Sequence, residues 1–160
     1  MKILIIGSVA SGKTTLARKL SQQLNIKHYE IDSIVHDDIN SIKRTTEQQK
    51  EIIEQIDTQQ EWIIEGTLRK NLNYLLDKAD NVIYLDTPLR TRKIRIFTRF
   101  IKQKLGIEKC NYKPTLKMLK QMYKWTKDYE KSREEREKLL NKYEHKIIRE
   151  EHIENEYSKT

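Results

Sequence analysis

Four residues at fixed spacing, Gly7, Gly12, Lys13 and Thr14, decide what chemistry this chain invites. They lie in the stretch Gly-Ser-Val-Ala-Ser-Gly-Lys-Thr-Thr at positions 7–15 and fit the pattern of Gly, four free positions, Gly, Lys and Ser/Thr. The glycines allow a loop whose amide N–H groups converge on a phosphate, and a helix starting at its end adds uncapped donors and the positive end of its dipole. Gly7, Ser8, Ala10, Ser11, Gly12, Lys13, Thr14 and Thr15 are therefore the expected nucleotide-binding residues. Lys13 is expected to reach the β- and γ-phosphates of ATP, and the Thr14 hydroxyl to ligate Mg²⁺.

A second set of charged residues falls at element ends. Asp32 stands at the end of the expected strand Ile26 to Ile31 and reads either as a carboxylate that holds a substrate hydroxyl or metal-bound water, or as the N-cap of the next helix. Glu65 precedes Gly66 at the end of Glu-Trp-Ile-Ile-Glu-Gly, and if that strand lies beside the first it points at the metal site. Arg69 follows Gly66 by three residues, which sets a guanidinium over the same cleft. Arg44 stands in a connection, either as a clamp for an anionic substrate or as a solvated arginine. Arg92, Arg95 and Arg99 recur at spacings of three and four, which places them on one helix face where they either neutralise transferring phosphates or form a basic patch.

The elements that must carry these residues alternate between strand and helix. Lys2-Ile3-Leu4-Ile5-Ile6 has the apolar β-branched character of a strand buried on both faces, and Leu16, Leu20 and Leu24 follow at helical spacing, with Asn25 as the stop. Residues 26–31 form the expected second strand, 61–66 the third, 81–86 the fourth and 146–149 a weak fifth. Residues 33–60 are polar and helix-compatible, with Thr46 and Gln49 as an expected capping box. Pro88 opens a basic helix over 89–105, which Gly106 breaks; a second basic helix follows Pro114, and a mixed-charge helix spans 128–143. This alternation predicts an α/β fold, a doubly wound five-stranded parallel sheet with helical acceptor and lid insertions.

At 160 residues with a net charge of +8, the chain suits one domain with a sizeable core. The charge is uneven: residues 90–124 hold twelve Lys/Arg against Glu108 alone, a net +11 that favours phosphates, whether of nucleotides or of a nucleic acid. The single cysteine, Cys110, excludes an internal disulfide. No apolar stretch approaches the roughly 20 residues needed to span a bilayer, so a cytoplasmic protein without a membrane partner is expected.

With residues 7–15, the Glu65-Gly66-x-x-Arg69 turn and the Asp86-x-Pro88 strand end, the chain resembles the adenylate-kinase-like P-loop kinases, nearest to the branch of DNA topology modulation proteins. The likeness runs from residue 1 to about 149 and includes His28-Tyr29-Glu30-Ile31-Asp32 and Asn111-Tyr112-Lys113-Pro114. It implies a single kinase domain with a core at 1–32, 61–92 and 128–150, an acceptor-binding insertion at 33–60, a basic lid at 93–127 and a loose tail at 150–160. The resemblance assigns Arg69 to the acceptor phosphate, Arg95 and Arg99 to the donor nucleotide, and Arg133, with Arg136 in reserve, to a further catalytic arginine from the helix after the lid. The acceptor segment lacks the Thr-Gly-Asp pattern of adenylate kinases, and the chain ends before their adenine loop and closing helix. The expected activity is transfer of the γ-phosphoryl group of Mg-ATP to a small acceptor, a nucleotide in the first place, by a monomer or homodimer. A nucleotide-regulated nucleic-acid-binding protein acting through residues 90–124 and a kinase for a hydroxylated metabolite are the alternatives.

Overall fold

The computed structural model describes residues 1–37, 42–108 and 114–149. The chain forms two compact units. The first comprises Met1–Gly7, Gly12–Leu85 and the described residues from Tyr143 onward, and the second Ser8–Ser11 and Asp86–Lys142.

The first unit is a five-stranded sheet. β1 (Lys2–Gly7) leads to α1 (Lys13–Leu24), which ends at Asn25 in the left-handed conformation (φ 55°). β2 (His28–Glu30) passes directly into α2 (Ile31–Val35); a short antiparallel pair follows, β3 (His36–Asp37) with β4 (Ile42–Lys43). After α3 (Thr46–Asp57) come β5 (Trp62–Gly66), a 3-10 turn at Lys70–Leu72, α4 (Leu75–Lys78) and β6 (Asn81–Leu85). The spatial order is β2-β5-β1-β6 with β7, described below, at the far edge, and every pairing in this sheet is parallel. Ile3, Ile5, Ile63 and Ile83 pack against Ala17 and Leu20 of α1, so the sheet buries apolar side chains wherever the sequence runs continuously apolar.

Within this unit several boundaries differ from the sequence expectation. Ile31 starts a helix rather than ending a strand because Ile31, Ile34 and Val35 are buried together at helical spacing. Asp32 thereby falls in the first turn of α2, not at the strand end. The capping box of α3 is formed by Thr45 with Gln48, one residue earlier than expected. A Cβ at Gly66 would lie 2.6 Å from Cβ of Ile31, so the glycine allows β5 to approach the start of α2.

The second unit holds α5 (Leu89–Lys104), α6 (Leu116–Lys131) and α7 (Arg133–Leu140). Pro88 is the N-cap of α5, with ψ 141°, and the helix opens at Leu89 as expected. Gly106, at φ 71°, supplies the left-handed turn after the helix. A single helix runs through Asp128 to Lys131, and the break falls at Ser132, so the expected helix over 128–143 is divided between α6 and α7. Thr115 caps α6 through the Met118 amide. β7 (Ile147–Arg149), the fifth strand, returns to the first unit and pairs with β6. Cys110, residues 111–113 and the tail at 150–160 lie outside the described residues.

Candidate active site

The phosphate-binding sequence adopts the backbone that its glycines permit. The loop leaves β1 at Gly7, Ala10 takes φ 59° and Gly12 φ 103°, both in the left-handed region. Gly12 is the N-cap of α1 and provides no side chain to cap it, so the first-turn N–H groups that follow remain available to an anion. A side chain at Gly12 would strain this conformation.

In the first unit, parallel pairing sets β5 beside β1 with Ile5 opposite Glu65 and Ile6 opposite Gly66. That register brings the sequence-predicted metal residues together: the Thr14 hydroxyl donates to Oε1 of Glu65 at 2.5 Å. Glu65 is buried, and burial raises its pKa above the ordinary glutamate range against the Thr14 hydrogen bond and the nearby Lys13 charge, while Glu30 and Asp32 push it further up. The same register places Arg69 against α2. Its guanidinium bonds Oδ1 of Asp32 at 2.8 Å, with the Asp32 side chain 78% exposed. Thr67 donates to the carbonyl of Gly7 at 3.1 Å, tying the turn after β5 to the start of the phosphate loop.

Arg44 has a different use in the structure. Its Nη1 donates to the carbonyls of Ser33, Ile34 and His36, which fastens the residues ahead of α3 to α2. Of the three residues expected at an acceptor, Asp32, Arg44 and Arg69, the fold brings Asp32 and Arg69 into contact.

In the second unit, Arg95 donates to the carbonyl of Ser11 at 3.2 Å and reaches that of Ala10 at 3.4 Å, so its guanidinium borders the phosphate loop. Thr87, buried, donates to the same Ser11 carbonyl at 3.1 Å. Arg99 pairs instead with Glu108 at 3.2 Å, and Arg133 pairs with Asp86 and Glu130. Arg92 is not part of an exposed arginine row. It is 2% exposed, donates to the Thr87 carbonyl at 2.8 Å and pairs with Glu130. Arg136 stacks over the Tyr129 ring at 3.6 Å and donates to the Tyr129 carbonyl.

Sequence reasoning passed over Thr67, Thr87 and Glu130, and it read Arg92 as one of an arginine row although that side chain is buried against Glu130. For Arg92 a signal was present: it stands four residues before the buried Ile96, on the face of α5 that packs inward.

The chain belongs to the AAA domain family, whose profile matches residues 3–113. No curated protein sequence matches it. Among solved structures it is similar to a shikimate kinase from Acinetobacter baumannii in complex with shikimate, at TM-score 0.53 and 16% identity over 91% of this chain and 81% of that one. It is also similar to a deoxyadenosine kinase from M. mycoides with bound dATP, at TM-score 0.54 and 17% identity over 93% and 90% of the two chains. These likenesses establish a P-loop kinase-like fold, a parallel sheet of five strands with helices around it. No helix among the described residues is long and apolar enough to cross a membrane.

Proposed function

We propose that the chain is an ATP-dependent phosphotransferase that moves the γ-phosphoryl group to a small anionic acceptor, a nucleotide in the first place. The observation that carries this reading lies in the first unit: the Thr14–Glu65 pair suits a metal–phosphate donor, the Asp32–Arg69 pair suits an acceptor, and the Asp32 carboxylate is near enough for its charge to act on Glu65.

The residues fit the ions expected of such a reaction. Thr14 and Glu65 supply hard oxygen donors, and among the described residues no group of three or more His, Cys, Asp or Glu is placed to hold a metal by itself. This is the sparse protein donor set that suits Mg²⁺, which retains waters and takes its other ligands from phosphates. When bound, the ion neutralises charge on the phosphates of the donor. Lys13 adds a positive charge at the head of α1, and the uncapped N–H groups of that helix orient the phosphates. Arg95, fixed by two loop carbonyls, supplies charge to the same loop.

On the acceptor side Arg69 binds the anionic group, and where the acceptor presents a hydroxyl Asp32 accepts its hydrogen bond and orients it. Positioning and charge neutralisation account for most of the rate in a loose phosphoryl transfer, so the site needs no histidine base. Kinship with the adenylate-kinase-like enzymes belongs to the same proposal, supported by the positions of Glu65, Gly66 and Arg69. The test is a panel of nucleoside monophosphates and small hydroxy acids incubated with Mg-ATP, reading ADP. One acceptor that raises ADP release over the background identifies the substrate, and its loss in Arg69→Ala assigns the anion site. No stimulation by either class contradicts the proposal.

A further inference from the structure

Helix α5 carries seven Lys/Arg and no acidic residue, yet its outward face is not uniformly charged. Ile94, Phe97, Ile101 and, at the C-cap, Leu105 recur at spacings of three and four and are between 40% and 67% exposed. At 100° per residue they make one stripe along the helix, with Lys93 and Lys104 on one flank and Lys102 on the other. Ile107 extends the apolar surface beyond the helix at 71% exposure. The opposite face is spoken for: Arg92 and Ile96 are buried, and the Lys93 carbonyl accepts from the Tyr123 hydroxyl of α6.

We propose that this face of α5 docks on an anionic lipid surface, with the stripe entering the headgroup region and the flanking lysines reaching the lipid phosphates. Charge complementarity selects the occupant. A second copy of the chain would set the flanking Lys93, Lys102 and Lys104 against the same lysines. A nucleic acid requires a continuous charged face, and here the apolar stripe runs through the middle of it. A protein partner of fixed register would call for mixed or uncharged polar groups to define that register, whereas the exposed charges of α5 share one sign. An apolar stripe between lysines whose long stems can lie along it while the ammonium groups reach outward is the pattern of a helix that lies on a charged bilayer. The inference stands apart from the phosphotransfer reading, since none of these side chains belongs to the site described above.

The experiment is co-sedimentation of the full chain with phosphatidylcholine vesicles, with and without phosphatidylglycerol. The parent is expected to bind the mixed vesicles and not the neutral ones. Lys93→Gln and Lys104→Gln should each weaken binding about fivefold, and Phe97→Ser at least about tenfold, with helix content and ATP turnover unchanged. If Phe97→Ser fails to fold, the two lysine variants, both exposed, carry the test. Equal binding to neutral and anionic vesicles overturns the proposal, as does binding that Phe97→Ser leaves intact. Self-association of the parent, or capture of duplex DNA in place of the vesicles, assigns the face to another occupant and equally overturns it.

Discussion

The Thr14 hydroxyl donates to Oε1 of Glu65 at 2.5 Å, joining the last residue of the phosphate-binding pattern to the carboxylate near the end of β5. Glu65→Gln keeps the shape of this contact and removes the charge that a metal requires. It is expected to weaken Mg²⁺ about 10- to 100-fold with little change in stability, read from the magnesium dependence of ADP release. Thr14→Ala should act in the same direction.

Glu65 also sets a pH dependence. Burial holds its pKa above the ordinary glutamate range, so the carboxylate is protonated at a pH where an exposed glutamate is still charged. Since the proton and the metal compete for it, Mg²⁺ affinity should fall as pH drops toward that raised value and recover above it. A magnesium titration across the acid range checks this, and Glu65→Gln should flatten the profile.

Gly66→Ala places a methyl group 2.6 Å from Cβ of Ile31, so either β5 or the start of α2 must shift. Asp32 is the next residue along, and the Asp32–Arg69 pair moves with it. The expected result is a rise in the acceptor KM and a lowered melting temperature, measured by steady-state kinetics and thermal unfolding. An unchanged acceptor KM would show that this close approach does not position the acceptor residues.

Glu130 joins the buried Arg92 to the exposed Arg133. Glu130→Ala leaves a guanidinium buried without its carboxylate, at a cost of about 3 kcal/mol, or roughly 6 to 12 °C in Tm. Arg133, which also pairs with Asp86, loses its contact with Glu130. A fall in kcat beyond the stability effect, absent in Arg92→Met, would identify Arg133 as a group that acts on the phosphates.

Much of the sheet and the Thr14–Glu65 contact of the candidate site were legible in the chain. The phosphate loop has four fixed positions, and β1 beside it is apolar throughout, so Lys13, Thr14 and Glu65 could be placed from local pattern and one assumption about strand order. Asp32 was harder, because whether Ile31 ends a strand or begins a helix depends on the missing side chain of Gly66, a contact across 35 residues. The arginines of α5 were the least legible. Their spacing correctly puts them on a helix, but Arg92 turns inward to Glu130, Arg95 to loop carbonyls and Arg99 to Glu108, and those partners are set by tertiary packing. The same holds for Arg44, whose use by three carbonyls follows from the chain reversal between α2 and α3.

Arg95→Ala removes a guanidinium held against Ser11 without disturbing a buried ion pair. Turnover should drop by about a thousandfold if it neutralises charge in the transition state, with ATP binding weakened far less. Comparable losses in both would instead make it a ground-state binding residue.

In the proposed reaction the loop from Gly7 to Thr15 holds the donor whose γ-phosphoryl group passes to a small acceptor. The most direct measurement is phosphorus NMR of the parent and Lys13→Ala incubated with Mg-ATP and the acceptor that stimulates ADP release. The account predicts a new phosphorylated acceptor with the parent and none with Lys13→Ala, although the variant is folded. ADP accompanied only by inorganic phosphate, or equal product from both proteins, would contradict it.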